Sequence, residues 1–155
     1  MDDILKQLLQ EEQELQFMSF NEAIAWQIGC HLVDRALKDD LSVTVDITRG
    51  DHQLFHASLC GTWSDNDEWV KRKVRLVYRF GHSSFYIRQL LKSKGKSIVE
   101  AYLVSKSEYA SHGGCFPVIV KDTGVIGTIT VSGLRQEEDH KLVVQAIRDY
   151  LAQEK

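Results

Sequence analysis

The stretch His112-Gly113-Gly114-Cys115-Phe116-Pro117-Val118-Ile119-Val120 leads into Gly124-Val125-Ile126-Gly127-Thr128-Ile129-Thr130-Val131-Ser132-Gly133, with Asp139-His140 shortly after. The β-rich runs 117–120 and 125–131 flank Lys121-Asp122-Thr123-Gly124, so they read as a hairpin. One corner, Gly113-Gly114, precedes the first run, and a second, Ser132-Gly133, follows the other. Glycine tolerates positive φ and close backbone approach, so each corner marks a tight bend or a place that admits a ligand. If the two runs pair, both corners fall at one end of the sheet. His112 and His140 are then expected to approach each other, with Asp139 free to orient a ring.

Working outward, residues 42–48 alternate: Val43, Val45 and Ile47 point one way and Thr44, Asp46 and Thr48 the other, as in a half-buried strand. Arg49-Gly50-Asp51-His52 is a turn, and 53–59 returns as the hairpin partner. Leu15-Gln16-Phe17-Met18 reads as a short strand. Helices are expected over 3–13, from a Ser19-x-x-Glu22 capping box to about 38, from 64 to about 80, over 84–93, and after Glu137-Glu138-Asp139. Residues 98–104 lack a diagnostic period and fit either a strand or a helix end. The sum is one α+β domain over 1–155, with about five strands in an antiparallel sheet flanked by helices. The helix from 22 carries two apolar stripes, Ile24-Ile28-Leu32 and Trp26-Cys30-Val33-Leu37, one more than a sheet requires. The second stripe is expected to meet another helix or another subunit, with a subunit the favoured partner.

Composition narrows the function classes. A net charge of -3 and a pI near 6.1 do not fit a nucleic-acid binder. No apolar run approaches the ~18 residues of a membrane span. The acidic start Met1-Asp2-Asp3-Ile4 lacks the order of a secretion signal, so a cytoplasmic location is expected. Cys30, Cys60 and Cys115 are odd in number and widely spaced, giving neither a disulfide framework nor a Cys-x-x-Cys site.

The run Gly113-Gly114-x-x-Pro117-Val118, then Gly124-x-x-Gly127-x-Ile129-x-Val131-Ser132-Gly133, then Asp139, resembles the signature of the GlcG/HbpS-like, or haem-degrading, domain family. Val45-Asp46 and Gly50-x-x-Leu54 are compatible with its upstream hairpin. Asp65-Asn66-Asp67-Glu68-Trp69 and Gly81-His82-Ser83-Ser84 look like a cytosolic, uncharacterised branch of that family. The resemblance covers nearly the whole chain. It implies a profilin-like three-layer domain assembled into rings of dimers, with haem as a possible cofactor. Fold membership alone carries little functional weight, because one fold hosts many chemistries.

Haem needs an axial ligand, apolar walls and usually cations for its propionates. His112 and His140 are the candidate ligands or general bases, and no residue is committed as catalytic. Gly113, Gly114, Ser132 and Gly133 are candidate ligand-binding residues, since free amides at a corner feeding a helix attract anions. Against that, Glu137, Glu138 and Asp139 already supply negative charge there. Arg72 and Arg75, beside the basic row Lys71-Arg75-Arg79, are candidates for an anionic group, whereas a surface charge row is by default solvated. On this helix Val70, Val74 and Val77 read as the apolar stripe. His31 reads as a hydrogen-bonded core or interface residue. His52 and His56 share one face of an extended strand at a spacing of ~13 Å, too far apart for one metal ion. No third ligand joins His112 and His140, so no metal site is committed. Three functions fit: a homo-oligomeric domain binding a small planar or anionic ligand, an oxidative haem-degrading enzyme using His112 or His140, or a ring-forming interaction scaffold.

Overall fold

Val45 and Ile47 of β2 (Thr44–Arg49) lie fully buried on one face of a sheet, beside Phe116 and Val118 of β4 (Cys115–Val120) and Ile129 and Val131 of β5 (Gly124–Ser132). Helices α2 (Glu22–Lys38) and α6 (Gln136–Gln153) cover that face with Ala25, Ile28, Leu32, Val143 and Ile147. These observations come from a computed structural model that describes residues 3–154. The alternation of 42–48 leads one to expect the other face in water. Instead α3 (Ser64–Phe80) lies on it, so Thr44 and Asp46 are as buried as their apolar neighbours.

The five strands run in the order β1-β4-β5-β2-β3, with β1 at Gln16–Phe17 and β3 at His52–Ser58. Both expected hairpins are present, β2 with β3 and β4 with β5. The sheet is nevertheless mixed, because β1 pairs with β4 in parallel. Some hundred residues separate β1 from β4, so no tight turn fixes their relative direction. Pro117 lies short of the β1 pairing, where its missing N–H interrupts no second ladder.

A second apolar cluster joins α1 (Asp3–Glu14), α4 (Ser84–Lys94) and α5 (Ile98–Tyr102) through Leu5, Leu8, Phe85, Leu91 and Ile98, with Leu76 of α3. The ambiguous run at 98–104 is thus a short helix, opened by Ser97 and Glu100 acting as a capping box. The cap of α2 is Asn21, not Ser19, its Oδ1 accepting from Ile24 N at 2.9 Å. Gly81 ends α3 in the left-handed region, and Ser83 caps α4 two residues later. On α2, Val33 packs against the core, whereas Trp26 and Leu37 are 64% and 63% exposed. The Trp26 ring meets Phe55 edge-on at 5.7 Å.

Candidate functional site

Cys115 pairs with Thr130, and Val131 N donates to Gly114 O at 2.9 Å, which brings the two glycine corners together at one end of the sheet. Their tightness is taken up by packing. A Cβ on Gly113 would stand 2.5 Å from Gln136 O, and one on Gly133 2.2 Å from Ser42 O. Gly114, at φ 128°, would place a Cβ 2.3 Å from Val131 O and 2.7 Å from Lys73 Nζ. The corner amides are also engaged. Gly113 N donates to Gln136 Oε1, and Gly133 N and Leu134 N donate to the two carboxylate oxygens of Asp139. Asp139 therefore already occupies the place where an anion was expected beside Ser132 and Gly133, and Ser132 itself is buried at the end of β5 opposite Thr44.

Asp139 orients no histidine. It faces Lys73, which is buried in α3 and donates to Val131 O at 3.1 Å and to Asp139 Oδ2 at 3.5 Å. Burial pushes the Asp139 carboxyl up to about 6, against the pull of Lys73 and of the Leu134 and Gly133 amides. Burial likewise lowers the Lys73 ammonium, opposed by Asp139. Cys115, on the same face of the sheet, is pushed up to about 12 by burial and stays a protonated thiol at neutral pH.

The two candidate histidines have different surroundings. His140 is buried between Phe85 and Phe116, and its Nε2 lies 2.8 Å from Glu11 Oε1 of α1. His112 stands edge-on to Trp69, ring centroids 4.8 Å apart, and its Nδ1 is buried without a partner. Burial lowers its pKa, and Arg88, Lys73 and Arg72 lower it further, so the ring is neutral at pH 7.

His112 lies where two hollows meet. The smaller, about 130 Å³, is walled by Trp69, Lys73, Gly113, Leu134, Gln136 and Asp139. The larger, about 490 Å³, has an apolar wall that includes Leu91, Ile98, Val99 and Ala110. Arg72 lines it too, its guanidinium carbon 4.6 Å from the Trp69 ring centroid and its buried Nε without an acceptor. Arg75 is turned elsewhere, donating to Glu108 O at 3.3 Å and tying α3 to the loop ahead of β4. The corner thus unites His112, Gly113 and Arg72 and leaves His140 and Arg75 outside the hollow.

Lys73 is the residue the sequence reading missed. The buried stripe of α3 is Val70-Lys73-Leu76-Val77, not Val70-Val74-Val77, and Lys73 lies three residues after one buried valine and four before the other. His52 and His56 are also placed differently from expectation. An extra residue, Leu54, bulges out of β3 opposite the Ile47–Thr48 step and reverses the alternation. His56 consequently faces α3, its Nδ1 3.0 Å from Asp46 and its Nε2 3.2 Å from Asp67, while His52 pairs with Arg49 on the opposite face. Among the described residues no group of three or more His, Cys, Asp or Glu is placed to hold a metal ion, and no helix is long and apolar enough to cross a membrane.

Residues 20–148 match the family described as "Haem degrading protein HbpS-like". The chain belongs to this family. A UPF0303 protein of Psychromonas ingrahamii is 41% identical over 147 residues, which are 95% of this chain and 92% of that protein. The crystal structure of Ybr137w superposes with a TM-score of 0.89 at 30% identity, covering 96% of this chain and 88% of that one. The PduOC:haem complex superposes with a TM-score of 0.69 at 17% identity, covering 84% and 94% respectively, a likeness of fold alone. The GlcG/HbpS-like resemblance and the α+β class read from the glycine corners agree with these matches.

Proposed function

We propose that this HbpS-like chain is a cytosolic, homo-oligomeric small-ligand-binding protein that takes a planar or anionic ligand beside His112, with no committed catalytic residue. The observation that carries this reading is the position of His112: its imidazole, neutral at pH 7, stands where the two hollows meet, beside a cleft that is apolar on one wall and lined by cations. Haem fits that donor set. His112 offers a nitrogen ligand, Leu91, Ile98 and Val99 offer an apolar wall, and Arg72 and Arg88 offer partners for propionates. A bound haem would supply redox-active iron. The chain's own residues would bind, orient and neutralise it. His140 is held by Glu11 and enclosed by two phenylalanines, so it is not assigned a ligand's role. The exposed Trp26 and Leu37 on α2 support self-association.

Haemin titration tests the reading. The expected result is saturable binding with a Soret shift, lost in His112→Ala and kept in His140→Gln. Absence of saturable binding below ~10 μM overturns it, as does an unchanged titration in His112→Ala.

A further inference from the structure

The cleft beside His112 has a charge pattern that a haem does not use up. Five cations line it: Arg72 of α3, Arg88 and Lys92 of α4, Lys96 just beyond α4, and Lys106 in the loop after α5. Among the described residues no carboxylate lines it, although the chain carries 22 acidic residues and a net charge of -3. Elsewhere some cations are paired, as in Lys71–Glu68, Lys73–Asp139, Arg35–Asp39 and Arg148–Glu14, and others such as Lys38, Arg79 and Lys121 form no ion pair among the described residues. What sets the cleft apart is that five cations gather on one concave surface. Among the described residues none of the five forms an ion pair with a side-chain carboxylate.

Part of this has a local cause. Lys92 sits in the last turn of α4 and Lys96 just past it, where the helix dipole favours positive charge. That account does not reach Arg72 or Lys106, which arrive from other elements and face the same hollow. Nor does it explain why the Arg72 Nε–H is buried without an acceptor while Trp69 holds its guanidinium in place. A concave surface lined by one sign of charge concentrates the field inside it. Like charges gathered without partners destabilise the empty fold and are offset when a counter-charge binds.

We infer that this cleft receives a chain of phosphates. This rests on reading the cleft as the ligand site and specifies the chemistry of its occupant. The two propionates of a haem would leave three of the five cations without a partner. A triphosphate carries three to four negative charges along one short axis, matching cations that converge from three directions. Arginine grips phosphate oxygens with its planar fork, and lysine adds point charges. Free polyphosphate and the phosphate tail of a nucleotide share this chemistry, and the apolar wall of Leu91, Ile98 and Val99 is the surface a nucleoside would use.

Calorimetric titration of the full-length protein with sodium tripolyphosphate at 150 mM salt tests this, with orthophosphate and ATP as parallel arms. Tripolyphosphate should bind at least ~tenfold more tightly than orthophosphate, and Arg88→Gln and Lys106→Gln should each weaken it several-fold. Lys38→Gln, outside the cleft, should leave it unchanged. ATP binding more tightly than tripolyphosphate supports a nucleotide, and equal affinity supports phosphate alone. Tripolyphosphate binding no better than orthophosphate overturns the inference, as does equal weakening by Lys38→Gln. Haemin bound through His112 with no tripolyphosphate binding removes this inference alone. Loss of both removes the site.

Discussion

Lys73 Nζ lies 3.5 Å from Asp139 Oδ2 beneath the Gly114 corner, each side chain 3% exposed. The pair joins the middle of α3 to the first turn of α6, and both partners also hold backbone, Lys73 through Val131 O and Asp139 through the amides of Gly133 and Leu134. Removing one member of a buried pair strands the other's charge, which typically costs about 3–5 kcal/mol. Lys73→Met and Asp139→Asn should each lower the urea midpoint markedly. The double variant should lose less than the sum of the two, and strict additivity would show that the pair is not coupled.

The glycines make a sharper contrast. Gly114→Ala combines positive φ with a Cβ driven against Val131 O, a backbone atom that cannot yield without breaking the corner. A loss of about 2–4 kcal/mol is expected. Gly124→Ala has positive φ too but open space around it, so about 1–2 kcal/mol is expected. Equal losses in thermal or chemical unfolding would mean that space at the corner does not matter.

How much of this was legible beforehand differs from residue to residue. The hairpins were legible because Gly50 and Gly124 mark turns between alternating runs. The parallel β1 was not, since two residues carry no period. Gly113, Gly114 and Gly133 announced close approach correctly, but sequence cannot say whether the approaching group is a ligand or the chain's own Gln136, Val131 and Ser42. Lys73 was hidden by its type, because a lysine among apolar positions is usually read as surface. The bulge at Leu54 has no sequence mark, yet it alone decides which side of the sheet His56 faces. The cationic cleft draws on three separate elements, so only Arg72 stood out.

Helix α1 is held in part by two carboxylate–histidine contacts, Glu11 to His140 and Glu12 to His82. The Glu12 hydrogen bond raises the pKa of His82, partly offset by burial. A folded pKa above the unfolded value near 6.5 means that this contribution is fully present below about pH 6.5 and lost as pH rises through the folded value. His82 is half-buried, so screening keeps the effect below about 1 kcal/mol. Amide exchange in α1, corrected for intrinsic rates, should therefore be faster at pH 8 than at pH 6, with the difference shrinking in His82→Gln. An α1 equally protected at both pH values would count against the linkage.

The outer stripe of α2 separates association from folding. Ile28 is 1% exposed in the core against the sheet, so Ile28→Asp buries an unpaired charge and should unfold the chain whatever its oligomeric state. Trp26, 64% exposed, touches Phe55 at its edge, and aspartate there remains in water in an isolated subunit. If Trp26 and Leu37 form the contact between copies, Trp26→Asp should reduce the mass seen by light scattering while keeping the circular dichroism of a folded chain. A buried aromatic anchor at an interface typically contributes about 2 kcal/mol or more, enough to shift a dimer's dissociation constant at least tenfold. A wild-type protein that is monomeric at 100 µM, well above ordinary dissociation constants of ~1 µM, would leave this face without a partner copy.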